Sequence, residues 1–281
     1  MKTLSIIVPI TLMAGRLSRL ESWLKFCDSQ NVEVILVHDY RDESTEREIN
    51  QMVKNYVACR GIRGYFGSVG LARNAGLEKS NGEWIMFADS DDEVYVHEVI
   101  STLRERNKES RVICASYHQT SNRTLLTTLK DASKLSKIAI TLNPGIWRFL
   151  IRKELLNDAK FKDFAMAEDQ LFLLENGIFE RIDEFSNRII YNYYVDDPLQ
   201  ATANVSKIDD LKRSIQHLSR IKKHFFIGRI NLVNLMILSQ TVTLIKRGSL
   251  KGKIYGAYKF ICNPIDFWRL IFVYKKNRYS N

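Results

Sequence analysis

Three carboxylates fall within four residues at Asp89-Ser90-Asp91-Asp92, directly after the apolar run Trp84-Ile85-Met86-Phe87-Ala88. At the end of a buried strand, Asp89, Asp91 and Asp92 would repel one another, and a hard divalent cation such as Mg²⁺ or Mn²⁺ relieves that repulsion. Such ions bind through one or two carboxylates and complete their shell with substrate phosphates. The alternative is an acidic loop that caps the following helix, since aspartate favours helix amino termini. A second segment, Gly67-Ser68-Val69-Gly70-Leu71-Ala72-Arg73-Asn74, opens a helix with glycines and places Arg73 on its first turns. A helix amino terminus and a guanidinium both suit a diphosphate. Asp39 closes the apolar run Val34-Ile35-Leu36-Val37-His38, where it either contacts a ligand or forms a turn. Glu168-Asp169 reads as a helix first turn, a place for acid–base chemistry or simply for acids that favour the dipole.

The elements around these residues alternate. Residues 4–9 read as a buried strand, 16–29 as a helix, 33–38 as a strand and 43–58 as a helix. A short strand is expected near Gly64-Tyr65-Phe66, a helix over 69–79 with Asn81-Gly82 as its stop, and a strand over 84–88. Strands alternating with helices of this length predict an α/β fold built on a mostly parallel, twisted sheet. Open sheets of this kind bind ligands at the carboxyl ends of their strands, where Asp39 and the aspartate cluster fall. Residues 111–197 mix strands (112–117 and 189–195) with helices. From Lys207 onward the pattern is helical, with breaks at Gly248, Gly252, Asn263 and Pro264. A boundary near Val205 would separate an α/β domain (1–205) from a helical extension (206–281).

In this order the segments resemble a family-2 glycosyltransferase of the GT-A fold, of the bacterial kind that builds capsule, lipopolysaccharide or exopolysaccharide. Ser5-Ile6-Ile7-Val8-Pro9 resembles the opening strand, and Val34 through Asp39 the second strand with its uracil-contacting aspartate. Gly70-Leu71-Ala72-Arg73-Asn74 resembles the Ala-Arg-Asn helix, and Asp89-Ser90-Asp91-Asp92 the DxD signature. Ala167-Glu168-Asp169-Gln170-Leu171-Phe172 resembles the later Glu-Asp motif, and Trp147 to Leu156 (Trp-Arg-Phe-Leu-Ile-Arg-Lys-Glu-Leu-Leu) the segment before it. The resemblance implies an inverting hexosyl- or N-acetylhexosaminyltransferase. Pro9, Asp39, Arg73, Asp89 and Ser90 would lie at a nucleotide-sugar donor, UDP-linked by this likeness. Mn²⁺ or Mg²⁺ would sit on Asp89, Asp91 and Asp92, and Asp169 would be the base for an acceptor hydroxyl on a glycan or lipid-linked oligosaccharide. The sequence departs from the family pattern at His38, Tyr40-Arg41 and Ile10-Thr11-Leu12, all beside the expected nucleobase contacts.

Composition agrees with a globular enzyme. The chain has 281 residues, 45% hydrophobic and 26% charged, enough to bury a core and too apolar for global disorder. Its four scattered cysteines form no CxxC pair, as expected of free thiols in a reducing compartment. The five histidines lack ligand spacing and read as structural. No signal-peptide pattern opens the chain, which suggests a cytoplasmic location. The net charge of +10 is concentrated at the end: residues 206–281 hold 16 Lys/Arg and three acids. Apolar faces flanked by Lys/Arg in 222–276 fit a peripheral surface on the inner face of the membrane, a helical cap or a homodimer interface. Nucleic acid is not expected. A nucleotidyltransferase would need a glycine-rich loop after the first strand, and residues 10–16 hold one glycine. A non-catalytic scaffold would not need all of these acids intact.

Overall fold

The computed structural model describes residues 2–40, 43–120, 124–126, 134–195, 205–221, 225–228, 230–262 and 271. The chain divides into two compact units: one of residues 1–130, 146–161 and 182–196, the other of 131–145, 162–181 and 197–281. This differs from the expected single boundary near Val205, because two internal segments join the carboxyl-terminal helices.

The first unit is an α/β layer. Its elements are β1 (Lys2–Ile10), α1 (Ser18–Leu24), β2 (Val32–Asp39), α2 (Glu43–Asn55), β3 (Cys59–Gly64), α3 (Val69–Lys79), β4 (Gly82–Phe87), β5 (Glu93–Val94), α4 (Val96–Glu105), β6 (Val112–Gln119), β7 (Thr124–Leu126), β8 (Phe149–Arg152) and β9 (Glu184–Tyr193). The strands form one sheet in the order β3-β2-β1-β4-β8-β6-β9-β5, with β7 paired to β6. As expected, β3, β2, β1 and β4 run parallel. Beyond β4 the sheet becomes mixed: β8 is antiparallel to β4 and β6, while β6 and β9 run parallel. The centre is apolar on both faces, as covered parallel strands require. On one face Leu4, Ile6, Val8, Val34, Leu36, Trp84 and Met86 are fully buried, with Trp23 nearly so, and on the other Ile7, Ile35, Val37, Ile85 and Phe87.

The third strand lies at 59–64, before the expected Gly64-Tyr65-Phe66. Cys-Arg-Gly-Ile-Arg-Gly is half exposed and lacks an apolar run, so its periodicity carries no strand signal. Helix α3 presses closely on β1 through Gly76, where an added Cβ would come within 2.4 Å of Ile7 Cγ2. A glycine here is a packing requirement rather than a turn.

The second unit is mainly helical: α5 (Lys134–Leu142), α6 (Glu168–Glu175), α7 (Val205–Asp209), α8 (Leu211–Leu218), α9 (Leu232–Arg247) and α10 (Leu250–Cys262). Between α8 and α9 lies a small antiparallel hairpin, β10 (Phe226–Ile227) with β11 (Ile230–Asn231), where continuous helix was expected. Gly248 ends α9 as predicted. Gly252 does not break α10 but is buried within it. The expected breaks at Asn263 and Pro264, and the aromatic-basic run 267–276, lie outside the described residues. No helix among the described residues is long and apolar enough to cross a membrane.

Candidate active site

The order β3-β2-β1-β4 has a consequence for ligand binding. The chain moves outward from β1 through β2 to β3, then returns to place β4 on the other side of β1. Open parallel sheets bind ligands at such a switch point, at the carboxyl edge. Pro9 marks where the two strands part: β1 pairs with β4 only as far as Ile7, but continues to pair with β2 through Ile10. A proline lacks the N–H that a ladder on both sides would use, so it is tolerated where one ladder has ended. The expected donor residue Pro9 is thus a buried strand residue beside that opening.

Asp39 is the last residue of β2 and is buried; its Oδ2 accepts the Gly67 N–H at 3.2 Å. Gly67 has φ +79, a left-handed conformation that suits glycine and aims its N–H back at the strand end. The next residue, Ser68, caps α3 by accepting the Leu71 N–H. Beyond Asp39, the Tyr40 ring lies 4.9 Å from that of Tyr65 and 4.1 Å from the Arg63 guanidinium carbon.

Arg73 is almost fully buried on α3 and donates through Nη2 to Asp89 Oδ1 at 2.8 Å. A buried guanidinium without a counter-charge would be costly, so Asp89 neutralises it. Asp89 in turn keeps 32% of its side chain exposed. Arg73 also lies 5.5 Å from the Phe161 ring, which meets Phe87 edge-on at 5.1 Å. The neighbouring Asn74 holds that ring's backbone: its amide donates to Phe161 O at 2.9 Å and accepts Phe161 N–H at 2.7 Å.

The three clustered aspartates are not equivalent. Asp92 is 1% exposed; its Oδ2 accepts the Tyr191 hydroxyl and its Oδ1 the Tyr194 N–H, each at 2.8 Å. Burial, followed by the nearby charges of Asp89 and Asp91, raises its pKa well above the ordinary value, against the pull of those two hydrogen bonds. Tyr191 is fully buried, accepts the Asp89 N–H at 3.0 Å, and stacks on Trp147 at 4.8 Å with the ring planes nearly parallel. Asp92 therefore ties the acidic turn to the end of β9. Asp91 is half-buried, and its carbonyl accepts from Arg19, which covers the Tyr194 ring at 3.9 Å. Ser90 is buried.

Trp147, Tyr191, Tyr194 and Arg19 were not singled out as site residues from sequence. The run Tyr191-Asn192-Tyr193-Tyr194 at a strand end was the available signal; aromatic spacing alone does not say which acid it supports.

In the second unit, Asp169 and Glu168 form the first turn of α6, both half-buried. The preceding Ala167 has φ +68, uncommon for a residue with a Cβ, and is buried against Ile208, Leu211, Ile215 and Leu244. A strained residue fixed by packing sets the direction in which this acidic turn begins. Gln170 continues the turn and accepts from Gln240 of α9 at 3.1 Å.

Poly(ribitol-phosphate) beta-N-acetylglucosaminyltransferase TarP of Staphylococcus aureus (strain N315) is 27% identical over 209 residues, 69% of this chain and 63% of that protein. S. aureus TarS 1-349, solved in complex with UDP-GlcNAc, matches at a TM-score of 0.67 and 17% identity, covering 99% of this chain and 93% of that one. The mannosyltransferase PcManGT from Pyrobaculum calidifontis, solved with GDP-Man and Mn²⁺, matches at 0.58 and 13% identity, covering 99% and 87%. At these identities the solved structures establish the shared GT-A fold. Residues 5–182 match the glycosyl transferase family 2. That span is more than half of the sequence and contains every residue discussed above from Pro9 to Asp169; the chain belongs to glycosyl transferase family 2.

Proposed function

We propose that the protein is an inverting glycosyltransferase that moves a sugar from a UDP donor to a hydroxyl of a bacterial surface glycan or its lipid-linked precursor. The observation that carries this reading is the Arg73–Asp89 pair at the carboxyl edge of β4, beside the switch point between β1 and β4. Family membership supports it, as do the N-acetylglucosaminyltransferase relative and the UDP-GlcNAc bound to the TarS structure. UDP-N-acetylglucosamine is therefore the first donor to test.

Each chain residue has a task in this reading. Asp39 and the Gly67 loop receive the nucleobase, with Tyr40 as the adjoining ring. Pro9 keeps β1 apart from β4 so that the nucleotide can enter. Arg73 holds Asp89 in one orientation, and Ser90 fixes the turn between the acids. Asp89 and Asp91 offer hard oxygen ligands, and two carboxylates completed by a diphosphate suit Mg²⁺ or Mn²⁺. Asp92, with both oxygens engaged by Tyr191 and Tyr194, supports the turn rather than the ion. Among the described residues no group of three or more His, Cys, Asp or Glu is arranged to hold a metal, so the donor set rests on these two acids and the substrate. When bound, such an ion supplies positive charge against the diphosphate as it departs. Asp169 takes the proton of the acceptor hydroxyl as it attacks the anomeric carbon from the face opposite the diphosphate.

Calorimetry with UDP, with and without Mn²⁺, followed by a donor-hydrolysis screen led by UDP-N-acetylglucosamine, tests the reading. Metal-dependent nucleotide binding and slow donor hydrolysis are expected. Absence of nucleotide binding at millimolar concentration overturns it. Asp169→Asn should retain UDP binding and lose transfer; unchanged turnover removes Asp169 from its role.

A further inference from the structure

Helix α10 is built the wrong way round for a helix whose neighbours are all protein. A surface helix ordinarily turns its large apolar side chains inward and its small or charged ones outward. In α10 the buried residues are Gly252 and Gly256. An added Cβ on Gly256 would lie 2.8 Å from Ile245 Cγ1, and one on Gly252 would lie 2.3 Å from Asp209 Oδ1. These glycines let α10 approach α9 and the end of α7 closely. Tyr255 packs inward against the cluster of Ile208, Leu211, Ile215 and Leu244, but four large apolar residues face outward: Leu250 is 75% exposed, Ile254 62%, Tyr258 60% and Ile261 74%.

Their spacings of four, four and three residues put them on one face of the helix. Lys251 and Lys253, both exposed, fall on opposite borders of that face at about 100° per residue. From Leu232 to Cys262 the sequence holds Lys246, Arg247, Lys251, Lys253 and Lys259 and no acid. An exposed apolar stripe bordered by lysines matches an anionic lipid surface in both respects: the side chains enter the acyl boundary while the ammonium groups meet the headgroups. The absence of acids removes the repulsion that would oppose this approach.

We infer that the outer face of α10 docks on an anionic phospholipid bilayer, with Leu250, Ile254, Tyr258 and Ile261 as the inserted residues. The occupant is the lipid surface itself; the inference needs no particular donor or acceptor, and it stands or falls separately from the sugar-transfer reading.

Sedimentation of the full chain with vesicles tests it, using phosphatidylcholine alone and phosphatidylcholine mixed with phosphatidylglycerol. The wild-type chain should pellet with the mixed vesicles, less so with rising salt. Leu250→Glu combined with Ile254→Glu should lower partitioning at least about tenfold. UDP binding and thermal midpoint should be unchanged, because both side chains already face solvent. Lys251→Glu with Lys253→Glu is the second variant, and should weaken binding without removing an apolar residue. A wild-type chain that stays in the supernatant, or variants that pellet as wild type does, overturns the inference. So does a variant that turns a dimer into a monomer without changing vesicle binding, since the face would then belong to a second copy.

Discussion

The two edges of the parallel strands in the first unit both carry acids, and they treat them differently. At the amino edge, Glu33 is buried near the start of β2. It accepts the Ser5 hydroxyl at 2.5 Å and the Asn81 N–H, and pairs with Arg60 at 3.3 Å. Every one of these partners belongs to a strand, or to a turn joining strand and helix, so the carboxylate acts as a fastener. At the carboxyl edge, Asp89 meets one buried arginine and leaves a third of its surface open. Burial alone does not separate the two roles, for Asp92 is buried at the carboxyl edge as well. What separates them is how much of each carboxylate remains available to something other than the protein.

Four substitutions or reactions break or sharpen this contrast. The largest effect is expected for Asp89→Asn, which should lower transfer by about 10³-fold. Its melting midpoint should fall as well, because the amide oxygen can still accept from Arg73 but no longer neutralises it; transfer lost only in proportion to the folded fraction would make Asp89 another fastener. Glu33→Gln should do the reverse. Replacing one acceptor oxygen with an NH₂ at a site surrounded by donors costs about 2–3 kcal/mol, measured by urea unfolding, with turnover unchanged. Gly76→Ala should cost about 1–3 kcal/mol through the contact with Ile7. Because α3 also carries Arg73, this variant should lower both stability and donor affinity from a position that touches no ligand, joining the two edges in one helix.

The fourth test leaves stability untouched and asks whether the amino edge is closed. Burial pushes the Cys59 thiol, at the start of β3, up to about 12. Burial raises Cys27 further and Cys114 as well. A raised thiol pKa means a scarce thiolate, on the order of 10⁻⁴ for Cys59 at pH 8. Native labelling at pH 8 should therefore modify the exposed Cys262 and spare the other three. Rapid modification of Cys59 would show that this edge opens.

Much of the first unit was legible because its elements announce themselves locally. The strands at β1, β2 and β4 are apolar runs bounded by turn residues, and Ser68 and Ser80 flank α3 where the periodicity begins and ends. The edge strand β3 was expected but placed a few residues late, since glycines and arginines replace the apolar alternation over most of its length. The hairpin at 226–231, whose strands are two residues long, was not legible at all. Of the candidate residues read from sequence, Asp39, Arg73 and Asp89 fall at or beside the carboxyl ends of the parallel strands, while Asp169 opens a helix of the other unit. The division of labour among the aspartates was not legible: that Asp92 faces Tyr191 and Tyr194 depends on where β9 returns, about 100 residues later, while Asp89 meets Arg73 of the preceding helix. Nor does anything local in 131–145 or 162–181 signal that these segments join the later helices, or that Ala167 adopts a positive φ.

Asn74 exchanges a pair of hydrogen bonds with the backbone of Phe161, so one side chain does the work of a neighbouring strand. A strand is held by many residues and resists change at any one of them; here two backbone hydrogen bonds come from a single amide, beside the ring contacts of Phe161 with Phe87 and Arg73. A substitution at position 74 can therefore loosen or re-aim the loop beneath Arg73 without removing a hydrogen bond of the sheet.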